Sequence, residues 1–292
     1  MNRGSEHDLR PIVEVPIVFE VAGGTTVHSP MVHTTIGGVA TRLILDTGAT
    51  DHVLTKELVD EAALPTSPGE PGTDHAGAEV PSWSLGETVV DIGAASFALQ
   101  AVVAITGPPP FAGWGVGGFL SPQHLHPTAW VVMDLAGDRL RLLDGPAAAL
   151  DRWLDVTYPA FRHLTLPRIP GATTVEVSAA IEPHDVVATM LDAGGKGTEF
   201  STDVVPAPPA TEEERGGSGL SGAGVMGRRV VPRTLLVGGP EAVRIDVPDL
   251  VVRDGMGDTP GLVGEDVLRG TILVWAADIE RDIRWLLSAM RD

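Results

Sequence analysis

Leu43-Ile44-Leu45-Asp46-Thr47-Gly48-Ala49 is the stretch that decides the fold. An apolar run ends on a carboxylate, and Gly48 lets the backbone turn tightly behind it. A weaker copy stands downstream at Leu191-Asp192-Ala193-Gly194-Gly195. The two copies are 146 positions apart, half of the 292-residue chain. A Gly-containing segment follows each at equal distance. Asp46 is 72 positions from Gly118 in Gly115-Val116-Gly117-Gly118, and Asp192 is 72 from Gly264 in Gly261-Leu262-Val263-Gly264. Met31 to Asp46 resembles Val177 to Asp192, and Val131 to Leu143 resembles Ile272 to Leu287. A repeat this long exceeds a solenoid unit and suits one lobe of a two-lobed protein. Carboxylates brought together from two such turns would share one proton and could act as both acid and base. The plain alternative for Asp46 is an Asp in a surface turn.

Composition narrows the chemistry. There are no cysteines, so disulfides, thiol catalysis and thiolate metal sites are excluded. Nine histidines are dispersed without a metal-ligand pair such as His-Glu-x-x-His, so no metal and no cofactor are expected. Acidic residues outnumber basic ones 39 to 20, and the net charge of −19 repels nucleic acid and anionic membranes. No apolar run is long enough to span a bilayer. The first residues, MNRGSEHDLRPIVEV, contain no secretory apolar core, which points to a cytoplasmic location. Lys56 and Lys196 are the only lysines, an Arg-rich bias associated with GC-rich bacterial genomes.

Residues 12–21 and 30–46 read as strands, with Gly23-Gly24 and Gly37-Gly38 as turns. Val53-Leu54 resumes a strand, and Thr55 caps a helix from Lys56 to Ala63 that Pro65 ends. Strand-like segments follow at 80–92 and 96–105. Ser121 to Leu125 and Glu265 to Arg269 read as short helices, and Pro122 fits a first-turn position. Two Gly-rich stretches, 66–79 and 215–227, are loops or hairpins. Residues 145–171 connect the halves, partly buried through Trp153 and Phe161. The chain is β-rich with few helices, the pattern of packed sheets rather than βαβ units. Among the tryptophans, Trp114 stands apart: it adjoins Pro108-Pro109-Pro110 just before the first glycine segment and is a candidate pocket residue.

The Asp-Thr-Gly-Ala turn after a strand, with the later Val116-Gly117-Gly118 and Leu262-Val263-Gly264 segments, resembles the retropepsin/pepsin-type aspartic peptidases. The resemblance covers residues 12–147 and 172–290. It implies an all-β, two-lobed pepsin/retropepsin-like acid protease fold with few short helices. The expected N-terminal lobe is 1–147, the interlobe connection 148–171 and the C-terminal lobe 172–292. It implies an aspartic endopeptidase with Asp46 and Asp192 as the catalytic dyad. Thr47, Gly48, Ala49, Ala193 and Gly194 would support the dyad. Thr47 would hydrogen-bond to the opposite lobe, whereas Ala193 stands where the family has Thr or Ser and cannot reciprocate. The Gly-rich stretches would be flaps, with His75, Gly77, Gly219 and Ser221 expected against substrate beside Trp114. The family's flap tyrosine is missing, because the single tyrosine, Tyr158, lies between the lobes. Ala49 and Gly195 lack the hydroxyl that lowers dyad pKa values in pepsin-like members, so activity is expected at weakly acidic to near-neutral pH. The partner is a peptide or small-molecule substrate, and a monomer suffices for the site. Two rival readings stay open: the dyad as acid and base in cyclisation or dehydration of a small molecule, and an inactive binding module.

Overall fold

The computed structural model describes residues 9–19, 21–22, 25–26, 29–74, 76–206, 214–218, 224–230, 233–238, 242–248, 250–256, 259–276 and 282–288. The fold is mostly β and two-lobed. Alternating Val, Ile and Thr form the hairpin of strands Met31–Ile36 and Val39–Leu45, joined by Gly37 and Gly38 at φ +56° and +83°. Strand Val39–Leu45 delivers Asp46 to the turn. Strand His52–Thr55 follows, and Thr55 caps helix α1 (Lys56–Glu61) by accepting from the Leu58 N–H. Helix α2 (Pro109–Trp114) ends at Gly115 in the left-handed region. The expected helix at 121–125 is a 3₁₀ turn, Pro122–His124.

Each lobe is built on a nine-stranded sheet with the same crossing at its centre. In the first, strand Val116–Leu120 inserts parallel to Val39–Leu45 and antiparallel to His52–Thr55. In the second, Gly261–Val263 inserts parallel to Val187–Leu191 and antiparallel to Glu199–Ser201. The registers correct the equal spacing read from the sequence. Leu45 pairs with Leu120, and Leu191 pairs with Val263. Gly118 therefore corresponds to Gly261, and Phe119-Leu120-Ser121 corresponds to Leu262-Val263-Gly264. The distances from Asp46 and Asp192 to equivalent residues differ by three, because connecting loops of different length lie between them. Gly117 fits an apolar position poorly because it sits in a bulge between Val116 and Gly118.

A six-stranded antiparallel sheet joins the lobes. It takes Arg10–Pro16, Arg139–Asp144 and Trp130–Asp134 from the first half, and Ile272–Ala276, Ile283–Ser288 and Phe161–Leu166 from the second. Val132 pairs with Val274 at its centre, so the two halves of the sheet mirror each other about that pair. The stretch expected to be a connection holds helix α3 (Ala147–Thr157) and the edge strand Phe161–Leu166, the counterpart of Arg10–Pro16. One face of this sheet merges, through Val131, Met133, Trp275 and Trp285, into the core shared by both lobes. The other, with Trp130, Val132, Val274 and Leu286, packs under Leu150 and Leu154 of α3.

Candidate active site

The two turns meet between the lobes. Asp46 is pinned by its N–H to the Leu120 carbonyl, and Asp192 by its N–H to the Val263 carbonyl, each at 2.9 Å. Gly48 N–H donates to Asp46 Oδ1 at 2.9 Å; Gly194 and Gly195 N–H donate to Asp192 Oδ1 at 2.9 and 3.0 Å. The carboxyl groups hydrogen-bond to each other. The glycines are what permits this approach. A Cβ on Gly48 would lie 2.9 Å from Asp192 Cγ, and one on Gly194 would lie 2.8 Å from Asp46 Cγ.

Burial pushes both carboxyls above the ordinary carboxylate range. For Asp192 the neighbouring Asp46 charge and the shared hydrogen bond push further upward. For Asp46 that hydrogen bond and the turn amides pull back. The pair therefore titrates as one unit that shares one proton.

Thr47, fully buried, hydrogen-bonds across the lobes as the resemblance implied. Its hydroxyl donates to the Leu191 carbonyl and accepts the Ala193 N–H at 2.9 Å. Ala193 is buried in the core and has no hydroxyl to return. A second interlobe bond, which the sequence did not signal, runs from Ser29 Oγ to the Gly194 carbonyl at 3.1 Å. Val175 N–H meets the Thr47 carbonyl at 3.3 Å.

A polar layer behind the Asp46 turn also escaped the sequence reading. Ser121 Oγ donates to the Ala49 carbonyl at 2.9 Å, and Gln123 Nε2 to the Ala49 and Thr47 carbonyls at 2.8 and 3.3 Å. Ser121 N–H donates to His52 Nδ1 at 3.2 Å. In the second lobe Gly264 N–H donates to Thr198 Oγ1 at 3.3 Å, and that hydroxyl donates to Asp266 Oδ1 at 2.8 Å. His52 and Thr198 lie 146 positions apart, as the two Asp residues do.

Of the expected substrate-contacting residues, His75, Gly219 and Ser221 lie outside the described residues. Gly77 is exposed at the tip of the first hairpin, at φ +74°. There the Asp74 carboxylate accepts from the Ala76 and Ala78 N–H groups at 2.9 and 3.0 Å. Strands Gly72–Thr73 and Glu79–Val80 form this hairpin above the pair Thr66–Pro68 and Ser82–Leu85. Strands Glu214–Ser218 and Gly224–Arg229 form the second. Trp114 is half-buried beside Phe111, with ring centroids 6.2 Å apart, in an aromatic cluster that includes Ile44 and Phe119. Among the described residues no group of three or more His, Asp or Glu could hold a metal ion. No helix among them is long and apolar enough to cross a membrane.

A family model described as Aspartyl protease matches residues 32–113, which span the Asp46 turn and the first hairpin. Over that stretch the chain is similar to the aspartyl protease family. Among solved structures it is similar to the aspartic proteinase from Irpex lacteus, at 11% identity and a TM-score of 0.53. That match covers 95% of this chain and 97% of the other, and the likeness is one of fold. Comparison with curated proteins returned no match.

Proposed function

We propose that the protein is an aspartic endopeptidase whose Asp46/Asp192 pair activates water. The observation that carries this reading is the mutual hydrogen bond between the two carboxyls, each backed by amides of its own turn. With the shared proton on Asp192, the ionised Asp46 takes a proton from water as the water oxygen attacks the peptide carbonyl carbon. Asp192 gives its proton to the carbonyl oxygen, forming a gem-diol. The proton on Asp46 then passes to the amide nitrogen, and the C–N bond breaks as a diol hydroxyl returns its proton to Asp192. Lobe boundaries near 147 and 172 accompany this reading. The hairpins at 66–85 and 214–229 would close over an extended peptide, with Trp114 lining a pocket. Turnover of a broad peptide library tests it: wild type cleaves, and Asp46→Asn and Asp192→Asn do not. An Asp192→Asn variant with near wild-type turnover would overturn the dyad.

Two observations favour a second reading, acid and base catalysis on a small molecule. The hydroxyl brace is one-sided at Ala193, and Tyr158 is committed to the interlobe sheet, bonded to Asp134 at 2.8 Å. No cleavage across the library, with the coupled titration intact, would favour it.

A further inference from the structure

The two lobes close the same joint with different chemistry. In lobe two a hydroxyl, Thr198 Oγ1, receives the amide of the returning strand at Gly264. In lobe one an imidazole nitrogen, His52 Nδ1, receives the equivalent amide at Ser121. Ser121 in turn holds the Ala49 carbonyl, three residues after Asp46. We propose that His52 is a positioning residue for the dyad: its neutral ring ties the returning strand to the Asp46 turn, and uptake of a proton releases that tie.

The geometry dictates the tautomer. Because Nδ1 accepts, the ring hydrogen sits on Nε2, which is buried without a hydrogen bond of ordinary geometry. Protonation puts a hydrogen on Nδ1, facing the Ser121 N–H, and two donors then meet. A threonine hydroxyl has no such titration: Thr198 Oγ1 keeps a lone pair for the Gly264 N–H while it donates to Asp266 Oδ1, so acid does not turn this acceptor into a donor facing the amide. His52 is fully buried. Its surroundings hold the neutral form down to a pKa of about 4, through burial first and then the charge on His124. The His124 ring, carried by the 3₁₀ turn, stands edge-on to the His52 ring with centroids 6.4 Å apart. The backbone of His124 and the charge of Asp51, from the turn before the strand, oppose the shift without cancelling it. Arg168, from the loop before the second lobe, acts on His124.

The proposal rests on the dyad reading only for its catalytic consequence. The experiment follows the Ser121 amide and the His52 ring by NMR between pH 3 and 7 in the full chain, beside kcat and KM on a fluorogenic peptide cleaved by wild type. The Ser121 amide should move with the His52 ring in wild type and stay still in His52→Thr. His52→Ala should lower kcat on the order of fivefold at pH 6, with KM unchanged, for the loss of one hydrogen bond, and the deficit should vanish at pH 3, where the wild-type tie is already released. The ratio of kcat at pH 3 to kcat at pH 6 should be about tenfold higher in His52→Thr than in wild type, since one unit below its midpoint the ring is almost wholly charged. A Ser121 amide that ignores the His52 titration, or a His52→Thr variant with the wild-type acid limb, overturns the proposal. If no peptide is cleaved, the peptidase reading fails and the amide titration still decides the role of His52. If His52→Ala does not fold, His52→Thr and the wild-type titration carry the test.

Discussion

At the scale of single residues, the candidate site holds groups whose burial costs stability, and the cost has a pH signature. Asp192 is pushed well above its unfolded carboxylate value, so between those two values the folded chain binds more protons than the unfolded chain. Stability from this group is lowest at neutral pH and is regained as pH falls toward the unfolded value. Asp192→Asn should therefore raise the melting temperature at pH 7, with the gain disappearing near pH 3. An unchanged melting temperature at pH 7 would mean the carboxyl is not desolvated. His52 acts in the opposite direction. Its folded pKa of about 4 lies below the unfolded value of 6.5, so the unfolded chain takes the proton first. Stability falls from pH 6.5 to pH 4 by about 3 kcal/mol and changes no further from this group below that. Urea titrations at pH 7 and pH 4 should show that loss in wild type and not in His52→Thr. An equal loss in both would place the acid-labile group elsewhere.

Among the elements, the returning strands separate what the sequence disclosed from what it hid. Gly118 and Gly261 occupy the same place, yet a Cβ on each would meet different neighbours. At Gly118, φ is +142° and a Cβ would fall 2.0 Å from the Val53 carbonyl oxygen, a backbone atom held in a ladder. At Gly261 the nearest atoms belong to the Phe200 and Thr189 side chains, at 2.7 and 2.8 Å, and these can shift. Gly118→Ala should cost more than about 4 kcal/mol in a denaturant titration, and Gly261→Ala clearly less. Equal costs would contradict this packing. The strand–Asp–Gly turns were legible because they are local: apolar run, carboxylate and glycine are adjacent in the chain. The Thr55 cap and α1 were legible for the same reason. The equal 72-residue spacing misled because counting treats loops of different length as equivalent, whereas strand register does not. His52, Ser121, Gln123 and Ser29 left no sequence signal. Each is ordinary in its own neighbourhood, and each acquires a partner only when segments 69 to 165 residues apart are brought together. For His52 and Ser121 the signal lay in comparing the lobes by register, where an imidazole and a hydroxyl fill one place.

For the whole molecule, the central question is whether two lobes make one cooperative unit. Each lobe has its own nine-stranded sheet, which by itself would allow separate unfolding. Two features oppose separation. The six-stranded sheet takes three strands from each half, and one buried cluster runs from Leu45 and Leu120 through Met133 and Trp275 to Leu191 and Val263. Opening the lobes would break the ladder between Trp130–Asp134 and Ile272–Ala276 and wet that cluster. A polar network anchors the same sheet. Tyr158, at the end of α3, donates to Asp134 Oδ2 at 2.8 Å, and Arg141 bonds to Asp134 at 3.2 Å, to Tyr158 at 2.8 Å and to Glu14 at 3.1 Å. Burial, together with the Asp134 hydrogen bond, raises the Tyr158 pKa and keeps the phenol a donor across the working range. Tyr158→Phe leaves Asp134 its bonds from Arg141 and the Gly137 N–H, so the loss should be about 1–2 kcal/mol rather than that of an orphaned charge. Because the sheet belongs to both halves, that loss should lower one shared melting transition. Calorimetry, with tryptophan fluorescence followed beside far-UV dichroism, would register it. Two separate transitions, only one of them moved by Tyr158→Phe, would mean that each lobe is stable alone and the shared sheet merely tethers them.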